Sequence, residues 1–272
     1  MKKLNYLFIL AIFLVYASCD ENSSIETQDT LAYPTDGLVA YWTFDNDNIE
    51  TIVDSSSNSL NGESYSVLSN EGIIGKSASF NGINSKIIFP EQGSLPPGII
   101  GSLETGTISL WFKFINKEGQ VLPILYFGRD DSSSPPYGLI IEIGHDMGDP
   151  NNRRLYFTII HSSTENFCFD SGQNLEENKW YHFAAVVSSK GNTGYLNGSE
   201  ITNRRYNLGS NENYSIFFNN VPTKEVFSIG YGRYSQEEPF YSFNGNIDNI
   251  MIYNRPLNVD EIMRLYEMGN SE

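Results

Sequence analysis

Along this chain apolar positions recur every second residue in short runs, and Gly, Asn, Asp, Ser or Pro stand between the runs. A period of two is the repeat of a strand, whose side chains alternate between two faces, and turn residues in the gaps complete the pattern. It predicts strands at Leu38–Phe44, Ser77–Phe80, Lys86–Phe89, Thr107–Phe114, Val121–Phe127 and Gly138–Ile143. Further strands are predicted at Arg154–Ile160, Trp180–Ser188, Gly194–Leu196, Glu225–Tyr231 and Gly245–Tyr253. Almost no helical period competes with them before Val259. Asn81-Gly82, Asn197-Gly198 and Asn244-Gly245 read as turns. Many short strands with turn punctuation define an all-β sandwich or barrel.

The final run differs from the others because it is apolar on both parities. Ile250 and Ile252 share one, and Ile247, Met251 and Tyr253 share the other, as in a central strand covered on both sides. Asp248 falls on the parity of Ile250 and Ile252, so a carboxylate points where apolar side chains point. An unpaired buried carboxylate is costly, which calls for a cation or a set of donors beside it. After Pro256, Asn258 and Glu261 have the spacing of a capping box, and Ile262, Leu265 and Tyr266 give a short helix one apolar stripe that Gly269 can end. Three stretches between strands are long: Pro90–Gly106, Arg129–Tyr137 and Tyr206–Lys224. Loops of that length are usually binding loops or decoration.

Composition narrows the class. The 272 residues are 40% hydrophobic and 14% aromatic, enough for one large core, and no second domain boundary or internal repeat stands out. A net charge of −16 argues against nucleic acid and against docking on anionic lipid, while carboxylates suit a hard cation such as calcium. Residues 1–18 read as a targeting segment, with Lys2 and Lys3 before a short apolar run from Leu7 to Val15. Tyr16-Ala17-Ser18-Cys19 resembles a bacterial lipobox, with Tyr16 in the usual leucine place, so Cys19 is the expected lipidation site. An ordinary signal peptide and a transmembrane anchor are the alternatives, the latter short for a span. Residues 19–36 are polar and read as a flexible tether, and residues 37–270 as the folded domain. Asp20-Glu21 resembles the acidic export tag of surface lipoproteins in Bacteroidota-like bacteria. That implies an outer-membrane protein, lipid-anchored and facing the cell exterior. Cys168, which has no unmodified partner for a disulfide, reads as a small buried hydrophobe.

Several blocks fall into a recognisable order. Gly37-Leu38-Val39-Ala40-Tyr41-Trp42-Thr43-Phe44-Asp45 precedes Asp54-Ser55-Ser56-Ser57-Asn58 and Asn61-Gly62. Then come Gly75-Lys76-Ser77-Ala78-Ser79-Phe80-Asn81-Gly82, Ile108-Ser109-Leu110-Trp111-Phe112 and Lys179-Trp180-Tyr181-His182-Phe183-Ala184. Tyr195-Leu196-Asn197-Gly198 and the run Phe243–Leu257 close the series. No single block is specific, but together and in order they resemble the laminin-G-like, concanavalin A-like jelly-roll family. The resemblance implies two antiparallel sheets packed face to face, with a short C-terminal helix, over about Leu38 to Gly269. It also implies one structural calcium ion, with Asp248 giving the carboxylate, Gly82 or Asn81 a carbonyl, and Asp45 or Phe44 another oxygen. The alternative for Asp248 is a set of backbone amides or a nearby Arg or Lys.

Catalysis finds little support. Some sandwiches of this shape are glycoside hydrolases with carboxylates at alternating positions of one strand. Here Glu142 and Asp146 share a parity, but Gly144 stands between them and His145 faces the other way. His182 sits within a core strand next to Trp180 and Ala184, reading as a structural imidazole, and neither His145 nor His161 has the spacing of a zinc site. No nucleophile elbow or phosphate-cradling glycine loop appears. Sugars are held by aromatic faces plus planar polar groups. The candidates for that are Tyr126, Arg129, Asp130, Tyr137, Tyr231, Arg233, Tyr234 and Tyr241, against a background of 17 tyrosines that includes ordinary surface ones. The reading is therefore a non-catalytic domain that binds a glycan or glycoprotein. A protein-interaction or adhesion module without sugar is the nearest alternative, and a glycoside hydrolase comes from a third class.

Overall fold

The computed structural model describes residues 32–46, 49–89, 98–129, 138–146, 149–162, 166–232 and 240–270. The alternating runs become strands, in chain order β1 (Leu38–Trp42), β2 (Thr51–Ile52), β3 (Gly62–Tyr65), β4 (Leu68–Glu71), β5 (Lys76–Asn81), β6 (Lys86–Phe89) and β7 (Gly106–Phe114). They continue as β8 (Leu122–Gly128), β9 (Gly138–Asp146), β10 (Asp149–Ile160), β11 (Asn166–Asp170), β12 (Tyr181–Ser188) and β13 (Gly191–Leu196). The remainder are β14 (Ser199–Glu200), β15 (Arg205–Asn207), β16 (Val226–Ile229), β17 (Tyr231–Gly232), β18 (Tyr241–Ser242) and β19 (Asn244–Tyr253). Helix α1 (Gly98–Gly101) is a single turn, and α2 (Val259–Met268) is the C-terminal helix.

Two antiparallel sheets face each other. The eight-stranded sheet runs β14-β13-β12-β7-β19-β5-β4, and β1 joins it by pairing with β19. The nine-stranded sheet runs β15-β11-β10-β9-β8-β16-β6-β3-β2. β19 pairs with β5 over Asn244–Ile247 and with β1 over Ile250–Tyr253, which explains why it is buried along nearly its whole length. Between the sheets lies the main core. Trp42 of β1 reaches across it to Phe89 of β6, ring centroids 4.6 Å apart, and to Phe227 of β16 at 5.7 Å. Its indole Nε1 donates to the Leu60 carbonyl at 2.8 Å, so the one polar atom of the ring is satisfied. Burying aromatic rings of this size contributes about 2–3 kcal/mol each.

The parity read from β19 breaks at Asn249, which bulges with φ +45° and shifts the register against β7 between Asp248 and Met251. One extra residue inverts the alternation beyond it. Ile247, Ile250 and Ile252 therefore share the inter-sheet core, while Met251 and Tyr253 pack on the opposite face of the sheet with α2. Asp248 lies on that opposite face, not with Ile250 and Ile252. The turn expected at Asn244-Gly245 is a strand instead. Gly245 has φ +140°, and a Cβ there would lie 2.1 Å from the Lys113 carbonyl, so glycine permits three-strand packing rather than a reversal.

Helix α2 forms as its spacing predicts. The Asn258 side chain accepts from the Glu261 amide at 3.0 Å, and Glu261 accepts from the Asn258 amide at 2.9 Å. Gly269 ends the helix with φ −83°, so its role is not left-handed geometry; a Cβ there would lie 2.6 Å from the Trp111 ring. The stretch Tyr206–Lys224 is not surface decoration, because Phe217, Phe218 and Val221 are fully buried in the main core.

Candidate functional site

The calcium expectation is the first to test against geometry. The Asp248 carboxylate is buried under the Gly72–Lys76 turn, where Oδ2 accepts from the Ile73 and Ile74 amides at 2.9 and 3.3 Å and Oδ1 from Asn249 Nδ2 at 2.9 Å. Asp45 reaches the same turn, accepting from the Lys76 amide at 2.8 Å. Asn81 and Gly82 lie elsewhere. Asn81 pairs with Asn244 and Ala78 with Ile247, so they stand about four residues, or about 13 Å, along the strand from Asp248. Asn81 Oδ1 accepts from the amides of Ile83, Asn84 and Ser85, and the Gly82 carbonyl from the Lys117 ammonium. Asp45 and Asp248 share one turn, but Asn81 and Gly82 do not converge with them. As a set of four these residues do not fit a calcium cage. Among the described residues no cluster of three His, Cys, Asp or Glu could hold a metal.

Burial pushes the Asp248 carboxyl up to about 8, with Asp45 adding in the same direction, and the backbone amides oppose the shift only in part. Asn249 in turn accepts from the Tyr41 hydroxyl at 2.7 Å. Asp54 is saturated with donors, accepting from the amides of Tyr41, Ser56 and Leu60 and from the Ser56 hydroxyl. Asp54 and Asp248 are fasteners that tie loops to β1 and β19.

A different chemistry lies on the outer face of the nine-stranded sheet. Register places Ser228, Tyr126, Ile140 and Thr158 side by side across β16, β8, β9 and β10. A neighbouring row runs Glu142, Tyr156, Asp170 and Arg205 across β9, β10, β11 and β15. Asp170 is buried and saturated: Arg154 Nη1 lies at 3.2 Å, Arg205 Nη2 and Nε both at 2.9 Å, and the Gly172 amide at 2.7 Å. Two guanidiniums and a backbone amide thus tie Asp170 into the sheet. Glu142 is buried on the adjoining part of the row. The side chain of Asp146 lies outside the described residues.

Tyr126, expected as a sugar platform, is 1% exposed. Phe240 packs edge-on against it at 5.9 Å, and its hydroxyl donates to the Arg129 carbonyl at 2.9 Å. The Arg129 guanidinium meets Thr223 Oγ1 at 3.2 Å. Tyr231 and Tyr241 pair their strands as the β17–β18 ribbon, with Tyr231 stacked on Phe240. Tyr137, Arg233, Tyr234, Asp130 and Cys19 lie outside the described residues. Among the described residues a ring that does stand open is Tyr65 of β3, 46% exposed. Its hydroxyl donates to Glu63 Oε2 at 2.9 Å, and it pairs across the sheet with Lys86, whose ammonium lies 5.4 Å from its ring centroid. An aromatic face flanked by a carboxylate and an ammonium is the arrangement saccharide sites use. The sequence signal was faint, because Gly62–Tyr65 is short and polar and reads as loop.

The other candidates are structural. His182 is fully buried, with Nε2 against Ser109 Oγ at 2.8 Å and Nδ1 without a partner among the described residues; burial pushes it down to about 3. Cys168 is buried beside Thr158 Oγ1 at 3.2 Å, and burial pushes the thiol up to about 12. His145 Nε2 meets Arg153 Nη1 at 3.1 Å.

Two large antiparallel sheets packed over one core, with a short C-terminal helix, define a jelly-roll sandwich. The chain belongs to the concanavalin A-like lectin/glucanases superfamily, whose laminin-G model matches residues 82–263. Among solved structures it is similar to domain 4 of an extracellular arabinanase from Geobacillus stearothermophilus in complex with arabinotriose. The two share 21% identity over 84% of this chain and 98% of that one, with a TM-score of 0.57. Trypanosoma rangeli sialidase in complex with sialic acid matches at 19% identity over 86% of this chain, TM-score 0.60, and the likeness spans 33% of the sialidase chain. The binding domain of Paraclostridial Mosquitocidal Protein 1 matches at 19% identity over 85% of this chain and 52% of that one, TM-score 0.59. At these identities the likeness is one of fold. Among curated proteins no sequence match is found.

Proposed function

We propose that the chain is a non-catalytic saccharide-recognition module, carried outside the cell by a lipid on Cys19 and a short acidic tether. The observation that carries this reading is the open Tyr65 ring, set between Glu63 and Lys86 on the outer face of the nine-stranded sheet. The fold keeps matching company, since similar structures hold arabinotriose and sialic acid. Those solved chains include parts of glycoside hydrolases, so the argument against catalysis rests on this chain's own carboxylates. Asp170 is locked by two arginines, and Asp248 is buried on the opposite sheet beneath backbone amides.

A glycan array with the full mature chain and with Tyr65→Ala tests the binding claim. The wild-type chain is expected to be retained by at least one glycan class, and Tyr65→Ala to lose most of that retention. No retention by any glycan sinks the saccharide reading in favour of a protein-binding module, and release of reducing ends from a polysaccharide digest sinks the non-catalytic one. Mass spectrometry of the N-terminal peptide checks the anchor: a diacylglycerol-modified Cys19 is expected, and cleavage at another residue contradicts it.

A further inference from the structure

At the β3–β6 margin of that face, Lys86 carries a charge that no carboxylate among the described residues meets. The chain has 33 Asp and Glu against 17 Lys and Arg, so acids outnumber cations. Among the described residues Lys86 Nζ makes no ion pair and no hydrogen bond, although Glu63 lies on the adjoining strand. Its ammonium is held instead by rings, 5.4 Å from the Tyr65 centroid and 5.0 Å from the Tyr231 centroid. Two π faces position a cation without neutralising it. The Tyr231 ring is backed in turn by Phe240, 4.9 Å away and nearly parallel at 16°. Phe240 packs against the buried Tyr126, so the position of the charge is anchored in the sheet. Tyr65 remains open to solvent, and Glu63 holds its hydroxyl through Oε2 alone.

We propose that this margin is a subsite for a carboxylated sugar, a uronic or sialic acid unit of a larger saccharide. Tyr65 stacks on one face of the sugar ring, Lys86 pairs with its carboxylate, and Glu63 accepts a ring hydroxyl. The inference rests on the saccharide reading above and specifies the class of sugar. A neutral sugar leaves the ammonium without a partner. A simple aliphatic carboxylate lacks a ring face for Tyr65. Charge-assisted pairs of this kind contribute more than neutral hydrogen bonds, which sets the expected preference at about tenfold or more.

Isothermal titration against two matched pairs tests it: sialyllactose with lactose, and trigalacturonate with its methyl ester. The wild-type chain is expected to bind the charged member of one pair at least about tenfold more tightly than its neutral partner, and which pair responds distinguishes sialic from uronic acid. Lys86→Gln should abolish the preference, so that the charged member binds no more tightly than its neutral partner. Lys190→Gln, which removes the same charge from the turn between β12 and β13, should keep it. Tyr65→Ala should weaken both members and Tyr65→Phe should restore them, with melting curves reporting that each variant is folded. Equal affinity within both pairs, or a preference that survives Lys86→Gln, overturns the carboxylate subsite and leaves the saccharide reading standing. No affinity for any of the four probes, while the array retains only neutral glycans, also overturns it. A blank array overturns both.

Discussion

Replacing Asp248 by Asn separates a buried neutral carboxyl from an ionised one. The side chain is fully buried, and burial raises its pKa from 3.8 to about 8 despite donors from Ile73, Ile74 and Asn249. An acid with a folded pKa above its unfolded value holds its proton more tightly in the fold. Its stabilising contribution is therefore complete below about pH 4 and is lost as the pH rises toward about 8. The slope approaches about 1.4 kcal/mol per pH unit inside that window. From about pH 5 to about pH 8 the loss approaches 3–4 kcal/mol as an upper bound. Asn titrates nowhere in this range, so the stability of wild type minus Asp248→Asn, from urea denaturation at successive pH values, should fall by up to that amount. Parallel curves would refute the reasoning and show a carboxylate ionised throughout. The same series with millimolar calcium or a chelator should give the same difference. A calcium-dependent gain confined to wild type would make Asp248 a metal ligand.

Gly245→Ala puts a Cβ against the Lys113 carbonyl at a φ of +140°; a loss of at least about 2 kcal/mol is expected from the denaturation midpoint at unchanged m-value. A neutral result contradicts the three-strand register at that residue. Cys168, buried with its thiol pushed up to about 12, should resist iodoacetamide in the native chain and react once unfolded. Native labelling at the unfolded rate contradicts the packing. His182, pushed down to about 3, contributes stability that is present above about pH 6.5 and lost as the pH falls toward about 3. His182→Leu should lower the pH at which acid unfolds the chain, and an unchanged acid midpoint counts against the burial argument.

How far the sequence leads depends on how much of the chain is patterned by the core. β7, β12 and β19 are long, central and flanked by turn residues, and their spacing alone locates them to within a residue or two. The edge strands β2, β4 and β14 are short and polar because one side has no neighbour to bury them, and β3 beside β2 is as short, so all four read as loop. β11 was hidden differently, as five residues whose Phe167 and Phe169 enter the core from inside a polar stretch. The bulge at Asn249 leaves no trace in composition, yet it decides which face carries Asp248. The same limit affects the site. Tyr126 looked like an exposed ring because nothing local announces that Phe240, more than a hundred residues on, packs against it. Tyr65 and Lys86 become neighbours only through the β3–β6 register.

The central claim is that the outer face of the nine-stranded sheet, at its β3–β6 margin, binds saccharide. Backbone and side-chain NMR shifts of the mature chain, titrated with whichever saccharide the array retains, measure it most directly. Saturable shifts centred on Glu63, Tyr65, Lys86 and Tyr231 are the expected result. Shifts centred on the opposite sheet, around Tyr41, Asp248 and α2, would contradict it.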